Sequence, residues 1–300
     1  MERKQASDFD QELLNLFDEY VHGLVDRRGF LDRAARFAVG GVTAMMLLDA
    51  LSPKFAEAEQ IPKDDKRLKT STVEFDSPKG TGKVKGYFAR PAAAKGKLPG
   101  VLVVHENRGL NPHIEDVTRR IALEGFDAFA PDALTPLGGY PGDEDKAREA
   151  FAKLDQDKTH EDFLAAYAVL KARPDCTGKI GAIGFCYGGG MVNFLATHVP
   201  DLAAAVPFYG SPPKPEEVAS IKAPMLIHYA EKDDRINANV PAFEDALKTN
   251  KVKYEIFKYP GTQHGFNNDT TPRYDKAAAD QAWKRSMDFF KKNLAAGKAK

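Results

Sequence analysis

Six short apolar runs punctuate the chain, at residues 100–105, 126–130, 179–185, 203–209, 224–229 and 253–259. Each is too short for a helix, and Gly100-Val101-Leu102-Val103-Val104-His105 is apolar on both faces of any strand it forms. A strand of that kind belongs in the middle of a sheet covered on both sides. Between the runs, apolar positions recur with helical spacing at residues 113–124, 159–173, 191–198, 238–249 and 275–294. The last of these offers Trp283, Met287, Phe289 and Phe290 for an inner face. Ahead of them, residues 71–75 and 83–90 alternate or carry β-branched and aromatic side chains, and Gly80-Thr81-Gly82 between them predicts a turn and an antiparallel pair. Strand alternating with helix then predicts an α/β fold, a doubly wound and mostly parallel sheet with helices on both faces. The Gly- and Pro-dense residues 135–142 are expected to form a surface loop beside a pocket.

The first sixty residues carry a different pattern. Seven acids stand against Arg3 and Lys4 in residues 1–26; the sign then flips at Arg27, Arg28, Arg33 and Arg36, ahead of twelve uncharged residues, 37–48. Ala56-Glu57-Ala58 follows. Basic segment, short apolar core and small-residue cleavage site make up the layout of an export signal. The run Asp26-Arg27-Arg28-Gly29-Phe30-Leu31-Asp32 resembles the twin-arginine signal. That resemblance implies the export machinery as a partner and a periplasmic or secreted location, or a cytoplasmic one where the leader does not function. The expected organisation is an export leader at residues 1–58 and one domain at residues 59–300, a length that suits a single α/β unit. The other use of the same residues is an amphipathic helix from Leu13 to Met46, packed on the body.

Composition narrows the function classes. Lys+Arg and Asp+Glu are both 43, so no global basic field gathers nucleic acid or anionic membrane. No run approaches the ~20 unbroken apolar residues of a membrane span, so no stable membrane insertion is expected. Two cysteines in 300 residues exclude a disulfide scaffold.

The most informative residues are Gly184-Phe185-Cys186-Tyr187-Gly188, which follow a buried-strand pattern and precede Gly189-Gly190-Met191. This is a nucleophile elbow with cysteine in place of serine, a tight strand-to-helix turn flanked by glycines because a Cβ there would strike neighbouring backbone. The turn sets the thiol at a helix N-terminus, where the dipole favours the thiolate that does the attacking. An elbow predicts an acid and then a histidine, each on a loop after a later strand. Asp233 follows the strand pattern ending at Tyr229, with Asp234 as the competing acid, and His264 follows the one ending at Tyr259. In that arrangement His264 takes the proton of Cys186 and the acid fixes its tautomer.

With these residues in hand, the chain closely resembles the dienelactone hydrolase family of α/β-hydrolases, from about Thr72 to Leu294. The shared segments are Val104-His105-Glu106-Asn107-Arg108-Gly109, Gly184 through Gly190, the surroundings of Asp233, and His264-Gly265-Phe266. The resemblance implies a Cys186-Asp233-His264 triad that cleaves a small-molecule ester or lactone through an acyl-thioester, without a cofactor. It also implies activation of the thiol by Glu106 and an oxyanion hole made by the backbone N–H groups of Tyr187 and Asn107. Asn268 stands where the family's namesakes carry a carboxylate-binding arginine; Arg108 and Arg273 are the candidates to replace it.

Other readings of these residues are weaker. Cys176 is ten residues from Cys186 with a strand between them, which forbids a disulfide at ~3.3 Å per residue. His105, His228 and His264 lack the i, i+4 helical spacing of zinc hydrolases, so no metal is expected. From another class, Cys186 could serve a non-hydrolytic thiol protein that reacts with oxidants.

Overall fold

The structure, a computed structural model, describes residues 4–295. Eight strands form one sheet in the order β1-β2-β4-β3-β5-β6-β7-β8: β1 (Leu68–Ser77), β2 (Gly82–Pro91), β3 (Leu98–Val104), β4 (Asp127–Pro131), β5 (Cys176–Phe185), β6 (Ala204–Phe208), β7 (Met225–Lys232) and β8 (Tyr254–Gln263). β1 pairs with β2 over their whole length and β2 pairs with β4, both antiparallel; every other pairing is parallel. This is the mostly parallel α/β sheet expected from the alternating pattern, in the α/β-hydrolase form that the family resemblance implies. β3 shows why its run is apolar throughout. Leu102 and Val104 join the cluster on one face, Val101 and Val103 the cluster on the other, and all four are fully buried.

The helices are α1 (Gln11–Val21), α2 (Arg27–Ala34), α3 (Ala44–Leu51), α4 (Phe55–Ala58), α5 (Pro112–Leu123), α6 (Glu144–Phe151), α7 (Gln156–Ala172), α8 (Tyr187–His198), α9 (Asp234–Asn237), α10 (Val240–Thr249) and α11 (Lys276–Leu294). α7, α8 and α10 cover one face of the sheet and α5 and α11 the other. α5 begins with Asn111 capping the Ile114 N–H and Pro112 in the first turn, the arrangement that satisfies orphan donors at a helix start. α6 was not visible in the apolar pattern. It is mostly charged and buries only Ala147 and Phe151, with Asp143 as its cap.

Residues 4–58 fold into helices α1 to α4 and short 3₁₀ turns on the side of the molecule that carries the strand C-termini. The single helix from Leu13 to Met46 is corrected to three. Gly23 at φ 76° and Gly40 and Gly41 at φ 63° and 86° adopt left-handed backbone that breaks it. These helices enclose an apolar cluster of their own, including Leu13, Phe17, Tyr20, Phe30, Leu48 and Leu51. The arginine pair opens α2, behind the Asp26 cap, and Phe30 is completely buried. Polar contacts join this cap to the body: Arg27 to Asp145 at 2.5 Å, Gln11 to Gln263, the Arg148 guanidinium to the Tyr20 carbonyl, and the Lys54 N–H to the Thr270 carbonyl. Among the described residues, no helix is long and apolar enough to cross a membrane.

Candidate active site

Cys186 sits between β5 and α8 at φ 57° and ψ −114°, the strained conformation of a nucleophile elbow. Glycine is obligatory around it. A Cβ on Gly184 would stand 2.2 Å from the Gly188 carbonyl oxygen, and one on Gly188 2.3 Å from the Val104 carbonyl oxygen. α8 starts at Tyr187, earlier than its apolar periodicity suggests, because these glycines carry no apolar signal. The first N–H groups of a helix have no intrahelical partner, which leaves that of Tyr187 available to an oxyanion beside the thiol. Asn107 lies in the loop after β3 and lines both cavities that reach Cys186.

His264 follows β8 directly, and Asp233 closes β7 and caps α9. Parallel pairing of β7 and β8 sets the two loops side by side, and the His264 Nδ1–H donates to the Asp233 carboxylate at 2.6 Å. Asp234 is exposed and stands in the first turn of α9. The other ring nitrogen of His264, Nε2, is buried without a hydrogen-bond partner and lies within 4.8 Å of Cys186 Sγ.

A second histidine reaches the same sulfur. His22, at the C-terminal end of α1, places Nε2 3.3 Å from Cys186 Sγ. Its Nδ1 lies 2.8 Å from the Asp18 backbone oxygen and 3.2 Å from the Asp18 carboxylate. The ligand atoms of His22, Cys186 and His264 all fall within 4.8 Å of one another. His105 and His228 take no part. The His105 ring bridges the Glu106 carbonyl and the Ala133 N–H, and the His228 ring bridges Ser286 and Tyr259.

These contacts set the protonation states. Burial raises the Cys186 thiol, but the charges of His264 and His22 outweigh it and hold the thiol down at about 6. Burial likewise opposes the charged form of His264, yet Cys186, Asp233 and Asp18 push it up to about 10. A thiolate facing an imidazolium is the consequence near neutral pH. Cys176, at the start of β5, accepts from the Gly178 N–H, and burial pushes its thiol up. Both cysteines are free.

Glu106 lines the same cavity as Cys186, and its carboxylate accepts from Asn268 at 2.9 Å. Asn268, where the family's namesakes have arginine, thus orients Glu106. Arg108 and Arg273 also line that cavity, and the cap engages both. Arg108 Nη1 donates to the Val21 carbonyl, and Arg273 Nη1 donates to Asp18. Each keeps a buried Nε without a hydrogen-bond partner, that of Arg108 lying 3.7 Å from the Glu144 carboxylate. The cavity measures about 500 Å³, within the range of small-molecule sites. A second, of about 370 Å³, reaches Cys186 from the side of Tyr187 and Met191.

The sequence reading did not find Asp18 and His22. Their signal was an i, i+4 spacing that puts both on one helix face, inside a segment whose charge pattern reads as an address.

The chain has relatives among known proteins. The family model described as "Dienelactone hydrolase family" matches residues 84–294, and a separate one described as "YqhI-like" matches residues 1–38. A protein of Escherichia coli (strain K12) named "Putative carboxymethylenebutenolidase" is 34% identical over 220 residues, covering 68% of this chain and 81% of that protein. Protein usf of Aquifex pyrophilus is 37% identical over 234 residues, covering 74% and 98%. Among solved structures, a Klebsiella pneumoniae protein described as a "Putative Dienelactone Hydrolase" superposes with a TM-score of 0.66 at 29% identity, covering 74% of this chain and 98% of that one.

Proposed function

Because the chain belongs to the dienelactone hydrolase family and is a carboxylic ester hydrolase of that type, we propose that it cleaves its ester or enol-lactone through a covalent thioester on Cys186. The observation that carries this reading is the convergence of a strained thiol, an Asp233-braced His264 and a cavity on one point. In the first half-reaction the Cys186 thiolate attacks the carbonyl carbon and a C–S bond forms. The oxyanion is held by the Tyr187 and Asn107 N–H groups. The C–O bond to the leaving group then breaks, and His264 gives its Nε2 proton to the departing alkoxide or enolate. In the second half-reaction neutral His264 takes a proton from water, the hydroxide equivalent adds to the thioester, and the C–S bond breaks to restore the thiolate. Glu106, which faces the same cavity and is held by Asn268, keeps the role the family resemblance implies, activation of the thiol. No step draws on a cofactor.

The test is turnover of a panel of activated esters and enol-lactones by the full chain beside Cys186→Ala and His264→Ala. Loss of turnover in both variants supports the reading, and turnover that survives Cys186→Ala overturns it. A low-pKa thiol also suits the oxidant-reacting alternative. The geometry disfavours it, because Cys176 sits at the opposite end of the ten-residue β5, about 30 Å away, and offers no resolving thiol. Mild peroxide that consumes Cys186 in a protein without esterase activity would favour that alternative.

Export with loss of residues 1–58 is a competing proposal that rests on residues 26–58 alone, and it excludes any role for those residues in the mature protein. A periplasmic product beginning at Glu59 supports it, and a product that keeps Met1 or Glu2 in the cytosolic fraction overturns it.

A further inference from the structure

Cys186 stands between two imidazoles, and only one belongs to the body of the molecule. We propose that His22, carried by the N-terminal cap and braced by Asp18, is a second catalytic histidine of this site and holds the Cys186 thiolate in the resting protein.

The argument begins with the backbone. α1 ends at Val21, and Gly23 at φ 76° turns the chain out of the helix immediately after His22. The Gly23 N–H closes on the Tyr20 carbonyl and the Leu24 N–H on the Glu19 carbonyl, which fixes the helix end and the ring with it. A helix C-terminus favours a protonated histidine, and a helix N-terminus favours an anion. Here the C-terminal end of α1 carries His22 and the N-terminal end of α8 carries Cys186, with 3.3 Å between Nε2 and Sγ. The two dipole ends are matched to a thiolate–imidazolium contact.

The second observation is the bracing. Asp18 presents both its carboxylate and its backbone oxygen to His22 Nδ1, as Asp233 presents its carboxylate to His264 Nδ1. Each histidine is thereby oriented with Nε2 toward the same sulfur. The rings meet edge to face, 4.9 Å apart. Asp18 is held in turn by Arg273 at 3.1 Å, so the brace is anchored to the body.

The third is the space that remains. A stopper would fill the site. Instead the cap walls two cavities that both touch Cys186, one of about 500 Å³ beside Phe17, Val21 and Leu48, the other of about 370 Å³ beside His22 itself. The cap therefore forms part of the substrate-binding surface.

The groups facing His22 are Asp18 from its own helix, Cys186 and His264 from the site, Arg235 from α9, and Arg148 from the wall of the smaller cavity. Arg235 Nη2 lies 2.9 Å from Nε2 and donates to it when the ring is neutral. Once Nε2 carries its own proton toward the thiolate, that contact is lost, because one nitrogen cannot donate and accept at once. Burial opposes the proton on His22, but Cys186 and Asp18 outweigh it and push the ring upward. The division of labour follows. His22 keeps the sulfur ionised, and His264 is left to pass its proton to the leaving group.

The inference rests on the hydrolase reading for its turnover measurement only. The experiment uses the full chain and the variants His22→Ala, His22→Gln and Asp18→Asn, with iodoacetamide alkylation of Cys186 followed by mass across pH 4.5 to 9. The alkylation midpoint is expected to rise by about one pH unit in His22→Ala, with a roughly fivefold slower reaction at pH 6, approaching tenfold at pH 5 and below, and an unchanged plateau at high pH. Asp18→Asn is expected to move it in the same direction by less. His22→Gln, close in size and able to donate without charge, should fall between wild type and His22→Ala. Turnover of an uncharged chromogenic ester should drop most at the acid end of the profile. An unmoved midpoint in both His22 variants overturns the proposal, and so does turnover that rises when His22 is removed, since that is the behaviour of a stopper. If wild type turns over no ester while the midpoint still moves, the hydrolase reading fails and the His22 assignment stands.

Discussion

Residues 59–295 and residues 4–58 bury apolar side chains in different ways. The body packs two clusters on opposite faces of an eight-stranded sheet, with long-range strand pairing tying its ends together. The cap encloses a small cluster among three short helices and meets the body largely through hydrogen bonds and partly exposed ion pairs. Exposed ion pairs contribute roughly 0–1 kcal/mol each and are screened by salt. The cap is therefore the region expected to open at lower free energy than the body unfolds. Each region also supplies a carboxylate-braced histidine to Cys186, His264 from the stable part and His22 from the loosely held part. A site assembled in this way draws one imidazole from each region.

The largest effect that would sharpen this contrast is on turnover. Cys186→Ala and His264→Ala, both in the body, are each expected to lower kcat/KM on the order of 10³-fold or more, against the roughly tenfold acid-side loss expected of the cap's His22→Ala. Comparable losses from His264→Ala and His22→Ala would erase the difference between the two regions.

Stability should divide in the same way. Phe290 is fully buried under the sheet, and Phe290→Ala should lower the stability of the body by about 3–5 kcal/mol in denaturant titration. Phe30 is equally buried within the cap. Phe30→Ala should leave the body's main transition within about 1 kcal/mol of wild type and instead speed amide exchange in residues 11–51. Equal losses in the main transition would show that cap and body unfold as one unit.

The pH profile tests the electrostatics that the two regions share. Cys186 is an acid whose folded value is depressed to about 6, so its contribution to stability is fully present above the unfolded thiol's value and is lost as pH falls through about 6. His264 is a base raised to about 10, so its contribution is fully present below its ordinary value and is lost as pH rises through about 10. The ion pair is intact between these limits. kcat/KM should be bell-shaped, with limbs near 6 and 10 and about tenfold loss per pH unit outside them. An acid limb near 8 or 9 would show that neither imidazole acts on the thiol.

The smallest effect is reserved for the neighbour of the acid. Asp234 is exposed, and Asp234→Asn is expected to change stability by no more than about 0.5 kcal/mol and turnover by less than about twofold. A large loss there would move the acid role away from Asp233.

Much of the body was legible along the chain. All eight strands were anticipated to within a few residues, β1 and β2 from alternation about a glycine turn and the other six from short apolar runs that no helix of that length explains. Cys186 and His264 stood out because an elbow needs glycines at fixed offsets. α6 escaped because a short, charged helix with two buried residues carries almost no periodic signal. The cap escaped for a related reason. Its paired arginines and small-residue stretch match an address, and glycine breaks at Gly23, Gly40 and Gly41 interrupt the helical period that would have shown a folded unit.

The division has a physical cause. Apolar periodicity and glycine spacing are local properties, so the chain alone determined the order of the strands and of the helices between them that carry an apolar face, the α/β class, and the identity of the strained thiol. Which side chain Glu106 faces, and that Asp18 and His22 stand beside a cysteine 164 residues after His22, were decided by tertiary structure alone. Distances between loops are set by parallel strand pairing and by how the cap seats on the sheet, and neither leaves a mark on the residues between them.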